Sequence, residues 1–567
     1  MRRGAHTFIL SLLCAGACSW ETSERTFACA DDGQCADGFR CVAGVCSDEA
    51  AAGGAAGGQS GAGGSAAGSS GGAAGGSTAG GAGLVITSLV PVAVTAPSLD
   101  FSPDGSVVAD DGTWAAADGG PISVTRRWLR CPADGGTCVA ITTAASLTGT
   151  NVQNDATRTS AVDGDGLQAG SGTGVWGATT NVAPNGGLET NTTSWGVWSS
   201  GAMSANFPLT SRTTAEAKFG SYSMRAISNG VDPAQSTLQR APVSPSTLYT
   251  MSGWVKTTPG ARHCIAVDQF DAAGAYVDSF NGPAVTGNGS WQRLTATGTT
   301  EATTVRVHVL FRTCAAMGQA VTWYVDGVQT ETGAIATPYV ETSAGEATRP
   351  ASDLTAPSQH LDVEQGWAAV RVRPRWDATT ARHEYPSVLQ LETSTANKLH
   401  LYFYRDGSSW RLERNLTAQH LIGVGAAPAP GVAATLVAAW ARRSHQLSVG
   451  AGPWERSTES EVPSPVPATF SLAGLDGEVL WAALGRARLD DPELQALNAP
   501  GDLRPTFEAL PGRPVFLWRG DSLAYEAAVT AATYAPQPAD VGSTLVLEVT
   551  ATNDNGSTTV RSAAFFP

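Results

Sequence analysis

Beyond its first residues this 567-residue chain has no long apolar run, and none reaches the roughly 20 residues that a membrane-spanning helix requires. Charge is also sparse, at 15%, and unbalanced: 35 basic against 50 acidic residues leave a net charge of −15. Clustered Lys and Arg that could neutralise a phosphate backbone are missing, so nucleic acid is not an expected partner. A solvated acidic surface that aids solubility is the plain reading. Long amphipathic helix patterns are scarce as well. Abundant Gly, Ala, Ser and Thr with short alternating segments predict an all-β chain of several β-sandwich domains. The length allows about three or four of them once non-globular parts are set aside.

Catalytic signatures are equally thin. His383-Glu384 begins like the zinc-protease H-E-x-x-H, but Ser387 stands where the second ligand belongs. No G-x-S-x-G nucleophile elbow occurs. Retaining glycoside hydrolysis needs two carboxyls about 5 Å apart, and nothing in the sequence pairs two acidic residues for it. The chain reads as a binding protein rather than an enzyme.

What is present begins with an export signal over 1–17: Arg2 and Arg3, an apolar core from Phe8 to Leu13, and the small residues Ala15-Gly16-Ala17. With Cys18 this resembles a bacterial lipobox, which implies lipidation of Cys18 and attachment to a membrane through that lipid. Ala15 replaces the usual Leu, and ordinary signal-peptidase cleavage is the alternative. The expected location is therefore the outer membrane or cell surface, or else secreted. Several acyl chains anchor firmly where a single one holds marginally.

Of the ten cysteines, Cys14 lies in the signal and Cys18 at the lipidation position. The rest fall into even groups: Cys29, Cys35, Cys41 and Cys46; Cys131 with Cys138; Cys264 with Cys314. Even groups suit disulfides in an oxidising compartment. Zinc at the first group is the rival, but its spacing lacks the paired C-x2-C knuckles that zinc generally uses. The 18–50 segment is a small cysteine-rich knot, with no room for a core without its bridges. The 51–83 segment, almost wholly Gly, Ala and Ser, reads as a flexible tether with a coil span of roughly 30 Å.

Asn181-Val-Ala-Pro-Asn-Gly-Gly-Leu-Glu189 and Thr192-Thr-Ser-Trp195 open the most informative segment. Trp323-Tyr-Val-Asp-Gly-Val-Gln329 and Ala336-Thr-Pro-Tyr-Val-Glu341 close it. Between them Val305, Val307, Val309 and Phe311 alternate with Arg306, His308 and Arg312, the period of a half-buried strand. Residues 181–341 resemble a carbohydrate-binding jelly roll of the family 4/9 type. The resemblance implies a polysaccharide or other glycan as partner and a structural Ca2+ near Glu189 and Asp326, with Gly220 adding a carbonyl. Flat aromatic faces with convergent polar groups bind sugars. Trp195, Trp254, Trp291 and Trp323 read as core, whereas Trp198 and Tyr276 lie in loop-like surroundings and are the platform candidates. Gln269 and His308 are the candidate hydrogen-bonding partners.

Two further resemblances frame this segment. Trp367-Ala-Ala-Val-Arg-Val-Arg373, Leu399-His-Leu-Tyr-Phe-Tyr404, Thr435-Leu-Val-Ala-Ala-Trp440 and Gln446-Leu-Ser-Val449 read as strands, and Asp491-Pro492 starts a short helix. In that order, 342–500 resembles a concanavalin A-like, laminin-G-type sandwich, but without the E-x-D-x-x-E strand of the glycosidases of that fold. Trp128-Leu-Arg-Cys131 and Gly135-Gly-Thr-Cys138 resemble the opening half of a bacterial immunoglobulin-like repeat (84–143). Asp540-Val-Gly542 and Asn553-Asp-Asn-Gly556 resemble its closing half (530–567). One split sandwich with the rest inserted is expected, joined by connecting segments 144–180 and 501–529. Two degenerate half-sandwiches are the alternative, disfavoured because they would expose apolar faces.

Overall fold

The computed structural model describes residues 39–42, 45–48, 88–150, 153–154 and 172–566, apart from 200–207, 233, 315–317, 319, 427, 473, 490, 498–509, 511–513 and 554. The chain forms two compact units, Met1–Gly83 and Leu84–Pro567. In the first, Phe39–Val42 and Val45–Asp48 form a hairpin that sets Cys41 opposite Cys46. Cys18, Cys29 and Cys35 lie outside the described residues.

The second unit is all-β, its one described α-helix being Asp491–Leu497, and its sandwiches are nested. The outermost is built from both ends of the unit. Ser123–Pro132 runs antiparallel to Ser543–Asn553 through ten consecutive residue pairs, among them Trp128 opposite Leu547. Thr533–Tyr534 likewise joins Val107–Asp110. Alternate residues of the strand share one core: Leu545, Leu547, Val549 and Ala551 are fully buried, and Trp128, Val107 and Tyr534 pack with the first three of them. The Trp128 indole donates to the Ala531 carbonyl at 3.0 Å. Cys131 and Cys138 are bridged beside the turn between adjacent strands.

Inside lies a larger sandwich of seven- and ten-stranded sheets. Gly477–Gly485 is buried at every position because both its faces are covered. One face contributes Ala482 and Leu484 to the core between the sheets. The other packs Trp481 and Ala483 beneath Leu494 and Leu497 of the helix. The connecting segments need correction here. Thr142–Ser146 pairs with Ala524–Ala528, Thr148–Thr150 with Asp353–Pro357, and Thr173–Val175 with Gly477–Gly485. Phe516–Trp518 extends the same large sheet. Parts of 144–180 and of 501–529 are thus strands of the middle sandwich, which is itself split. Burial is the reason, since Phe516, Trp518, Tyr525 and Val175 all lie in its core.

The innermost body is inserted into that middle sandwich. Thr179–Asn181 and Ala347–Arg349 pair side by side, so entry and exit lie together. Between them a five-stranded sheet faces a six-stranded sheet over one core that contains Trp195, Trp323, Phe311 and Val309. Cys264 and Cys314 are bridged, tying the Arg262–Phe270 strand to the end of its neighbour Arg306–Thr313.

Candidate functional site

The six-stranded sheet of the inner body carries strands in the order Trp195–Ser199, Gln235–Pro242, Arg306–Thr313, Arg262–Phe270 and Tyr276–Asn281, with Val285–Thr286 also paired to Arg262–Phe270. Side chains alternate between its faces. Val307, Val309, Phe311, Ile265 and Val267 point into the core. The intervening residues form the outward face, in four cross-strand rows: Trp198, Ser236, Arg312 and Cys264; Leu238, Leu310, Ala266 and Asn281; Arg240, His308, Asp268 and Ser279; Pro242, Arg306, Phe270 and Tyr276.

Two of the predicted aromatics mark opposite corners of this face. Trp198 is 38% and Tyr276 59% exposed, whereas Trp195, Trp254 and Trp323 are buried. Strand and residue spacings put the two corners roughly 25 Å apart. Tyr276 meets Phe270 edge-on at 6.1 Å, and Phe270 packs on His308 at 4.2 Å, so three rings run inward from one corner. His308 leaves its Nε2 without a hydrogen bond. Burial, aided by the charges of Arg240 and Arg306, pulls its pKa down to about 4, so the ring is neutral at pH 7.

Gln269 departs from the expectation. It faces inward, 1% exposed, and its Oε1 accepts from the Glu301 amide at 2.8 Å and the Thr304 hydroxyl at 2.9 Å. It closes a loop and does not face a ligand. Phe270, unremarked in the sequence, takes its place on the outward face, and its parity with Asp268 was the available signal.

Glu189, Asp326 and Gly220 do meet. The Glu189 carboxylate accepts from the amides of Ser221 and Tyr222, and that of Asp326 from those of Lys218, Phe219 and Gly327. Gly220 has φ 59°, and a Cβ there would lie 2.4 Å from the Glu189 carboxyl, so only glycine fits. Burial drives the Asp326 pKa up to about 7 against its three amide donors, and the Glu189 charge adds to the rise. A poorly compensated buried negative charge suits a cation. Those amides already engage the carboxylates, however, and no cluster of three or more His, Cys, Asp or Glu able to hold a metal occurs among the described residues. Calcium takes six to eight oxygens, so backbone carbonyls would have to supply most of the shell.

The middle sandwich holds a second polar strip that sequence reading passed over. His400 lies between Gln390 and Glu413 across three strands, and Tyr402 lies beside Arg411. Ser387 Oγ and His400 Nε2 are 2.8 Å apart. Both are largely buried, and burial holds the His400 pKa at about 3. Glu413 is occupied by Lys398 at 2.9 Å and by Asn415 and Gln419.

No protein-family model matches the chain, and no curated protein does. Solved structures show partial likenesses. A xylan-binding CBM22 domain from Paenibacillus barcinonensis is 16% identical, with 29% of this chain and 99% of that one covered at a TM-score of 0.22. A CBM61 module in complex with β-1,4-galactotriose is 19% identical over 26% of this chain and 97% of that one, at a TM-score of 0.19. The enzymatically active domain of a bacteriophage CBA120 tailspike is 14% identical over 27% of this chain, at a TM-score of 0.23, and this chain spans only 21% of its length. Likenesses this distant assign no ligand, so the site rests on its own geometry.

Proposed function

We propose that the inner jelly roll binds a polysaccharide or other glycan on the outward face of its six-stranded sheet, and that the chain is a non-catalytic attachment protein. One observation carries this reading: exposed Trp198 and Tyr276 stand at opposite corners of a sheet face that also bears His308, Asp268, Asn281 and three arginines, with a buried apolar row of Leu238, Leu310 and Ala266 crossing it. Aromatic planes with polar groups converging between them are what sugar recognition requires. The lipid on Cys18 and the 51–83 tether would hold this head at a cell surface, and a calcium ion between Glu189 and Asp326 would pin the first strand to the last. The laminin-G-like and immunoglobulin-like sandwiches would serve as its frame.

The test is a glycan-array screen of the full chain beside its Trp198→Ala and Tyr276→Ala variants. Loss of a ligand in either variant, with unchanged thermal unfolding, supports the reading. Binding that both variants retain would move the site elsewhere. A silent array with a stable fold would favour a structural or protein-binding spacer.

A further inference from the structure

Several arginines in this chain have carboxylate partners. Arg127 pairs with Glu548 at 3.2 Å, Arg375 with Glu478 at 2.8 Å, Arg382 with Glu331 at 3.6 Å and Arg561 with Glu548 at 2.9 Å. Arg130 pairs with Asp540, and Arg519 with Glu526. On the outward face of the jelly roll lie three arginines of another kind. Arg240, Arg306 and Arg312 have no carboxylate within ion-pair distance among the described residues, although the chain carries a net charge of −15.

Their hydrogen-bond and ring contacts are to neutral groups, and the Arg312 charge also acts on Asp268. Arg240 donates to the Trp195 carbonyl at 3.3 Å. Arg312 donates to Asn281 Oδ1 at 2.8 Å and leaves its Nε without a partner. The Arg306 guanidinium lies 5.7 Å from the centre of the Phe270 ring. Within the four rows the arginines outnumber the one carboxylate, Asp268. Between the Arg312 and Arg240 rows lies a buried apolar row of Leu238, Leu310 and Ala266. Guanidinium groups can present their free N–H donors in pairs to a planar anion.

We propose that the glycan taken by this face is an acidic polymer, its carboxylates or sulfates received by Arg240, Arg306 and Arg312; the assignment rests on the glycan-binding reading above. Arg306 and Arg312 are six residues apart on one strand, a span of roughly 20 Å, too long for one sugar ring. Repeated acid groups along a chain match it, with His308 in the middle as a neutral partner for hydroxyls.

Affinity electrophoresis of the full chain tests this with polygalacturonate as the carboxylate probe, dextran sulfate as the sulfate probe, and dextran, xylan and galactan as neutral probes. An R240Q/R306Q/R312Q variant with unchanged thermal unfolding is run beside it. Retention by one acidic probe, at least about tenfold weaker in the variant, is the expected result, and whichever probe is preferred names the acid. Retention by the unaltered chain should also fall as NaCl rises. Retention by neutral probes alone, equal in both proteins, would overturn the acidic assignment and leave the glycan reading standing. No retention by any polysaccharide would overturn both. Equal retention by duplex DNA would show that bare charge is being read, and would overturn the proposal as well.

Discussion

Arg127 and Glu548 lie 421 positions apart and form an ion pair at 3.2 Å, 4% and 3% exposed. The pair lies on the two strands that join the ends of the second unit. Removing one partner of a buried pair strands the other's charge. Arg561 also reaches Glu548, at 2.9 Å, and softens the loss. Arg127→Ala is therefore expected to destabilise the outer sandwich by about 3 kcal/mol. Amide hydrogen exchange along Ser123–Pro132 and Ser543–Asn553 would measure it locally, as a single unfolding curve of a multidomain chain does not.

Nesting makes a different prediction about dissection. Thr179–Asn181 and Ala347–Arg349 lie side by side at the base of the jelly roll, and that body has its own core. A fragment of residues 179–349 should fold alone and show dispersed NMR signals. A fragment of residues 342–500 should not, since it lacks Thr142–Ser146, Phe516–Trp518 and Ala524–Ala528 from its large sheet. Cooperative melting of the 342–500 fragment would contradict the nested arrangement.

How much of this was legible depends on strand length. Over 307–311 and 545–551 the alternation is long enough to show which residues share the core, although Val305, expected with them, is exposed, and Leu310, Val546 and Glu548 of the other parity are buried too. Three-residue strands such as Thr148–Thr150, Thr173–Val175 and Phe516–Trp518 cannot display a period. Their partners lie far away in sequence, so the middle sandwich's reach into 144–180 and 501–529 stayed hidden. Trp198 and Tyr276 were singled out for loop-like surroundings, yet both lie on edge strands, Trp195–Ser199 and Tyr276–Asn281, where they remain exposed. Of the arginines between them, Arg306 and Arg312 were visible flanking His308, but Arg240 joins them only where its strand pairs with theirs.

Gln269 makes that distinction testable. Its side-chain carbonyl accepts from both Glu301 and Thr304 at a fully buried position. Gln269→Ala leaves two donors unmet and should cost about 1–3 kcal/mol of jelly-roll stability. Glycan affinity should be unchanged at temperatures where the variant is folded. Isothermal titration beside thermal unfolding separates the two effects, and lost affinity in a folded variant would restore Gln269 to the binding face.

Asp326 predicts a pH dependence with a definite sign. Its folded pKa, about 7, lies above the ordinary value of 3.8, so the native state holds the proton more tightly. The resulting stabilisation is complete below pH 4 and is lost as pH rises toward 7. Asp326→Asn should flatten that decline in the thermal unfolding of a 179–349 fragment. Calcium bound to the ionised carboxylate would oppose the decline, so a chelator should then lower the unfolding temperature more at pH 8 than at pH 5. Identical unfolding with and without chelator at pH 8 would remove calcium from the site.

His308 offers the most direct view of the acidic-ligand proposal. Burial first, then Arg240 beside it and Arg306 on its own strand, depress its pKa from 6.5 to about 4, while Asp268 faces it from the other neighbouring strand. The unfolded chain therefore binds this proton more readily, and the ring withdraws stability as pH falls from about 6.5 to 4. An anion seated on Arg240 and Arg306 would cancel the charges that suppress protonation. With polygalacturonate or dextran sulfate bound, the His308 ring resonances should titrate at a higher pH than in the free protein. A neutral polymer should leave the midpoint in place or lower it by further desolvation. A midpoint unmoved by a bound acidic polymer would mean that the polymer sits away from these arginines.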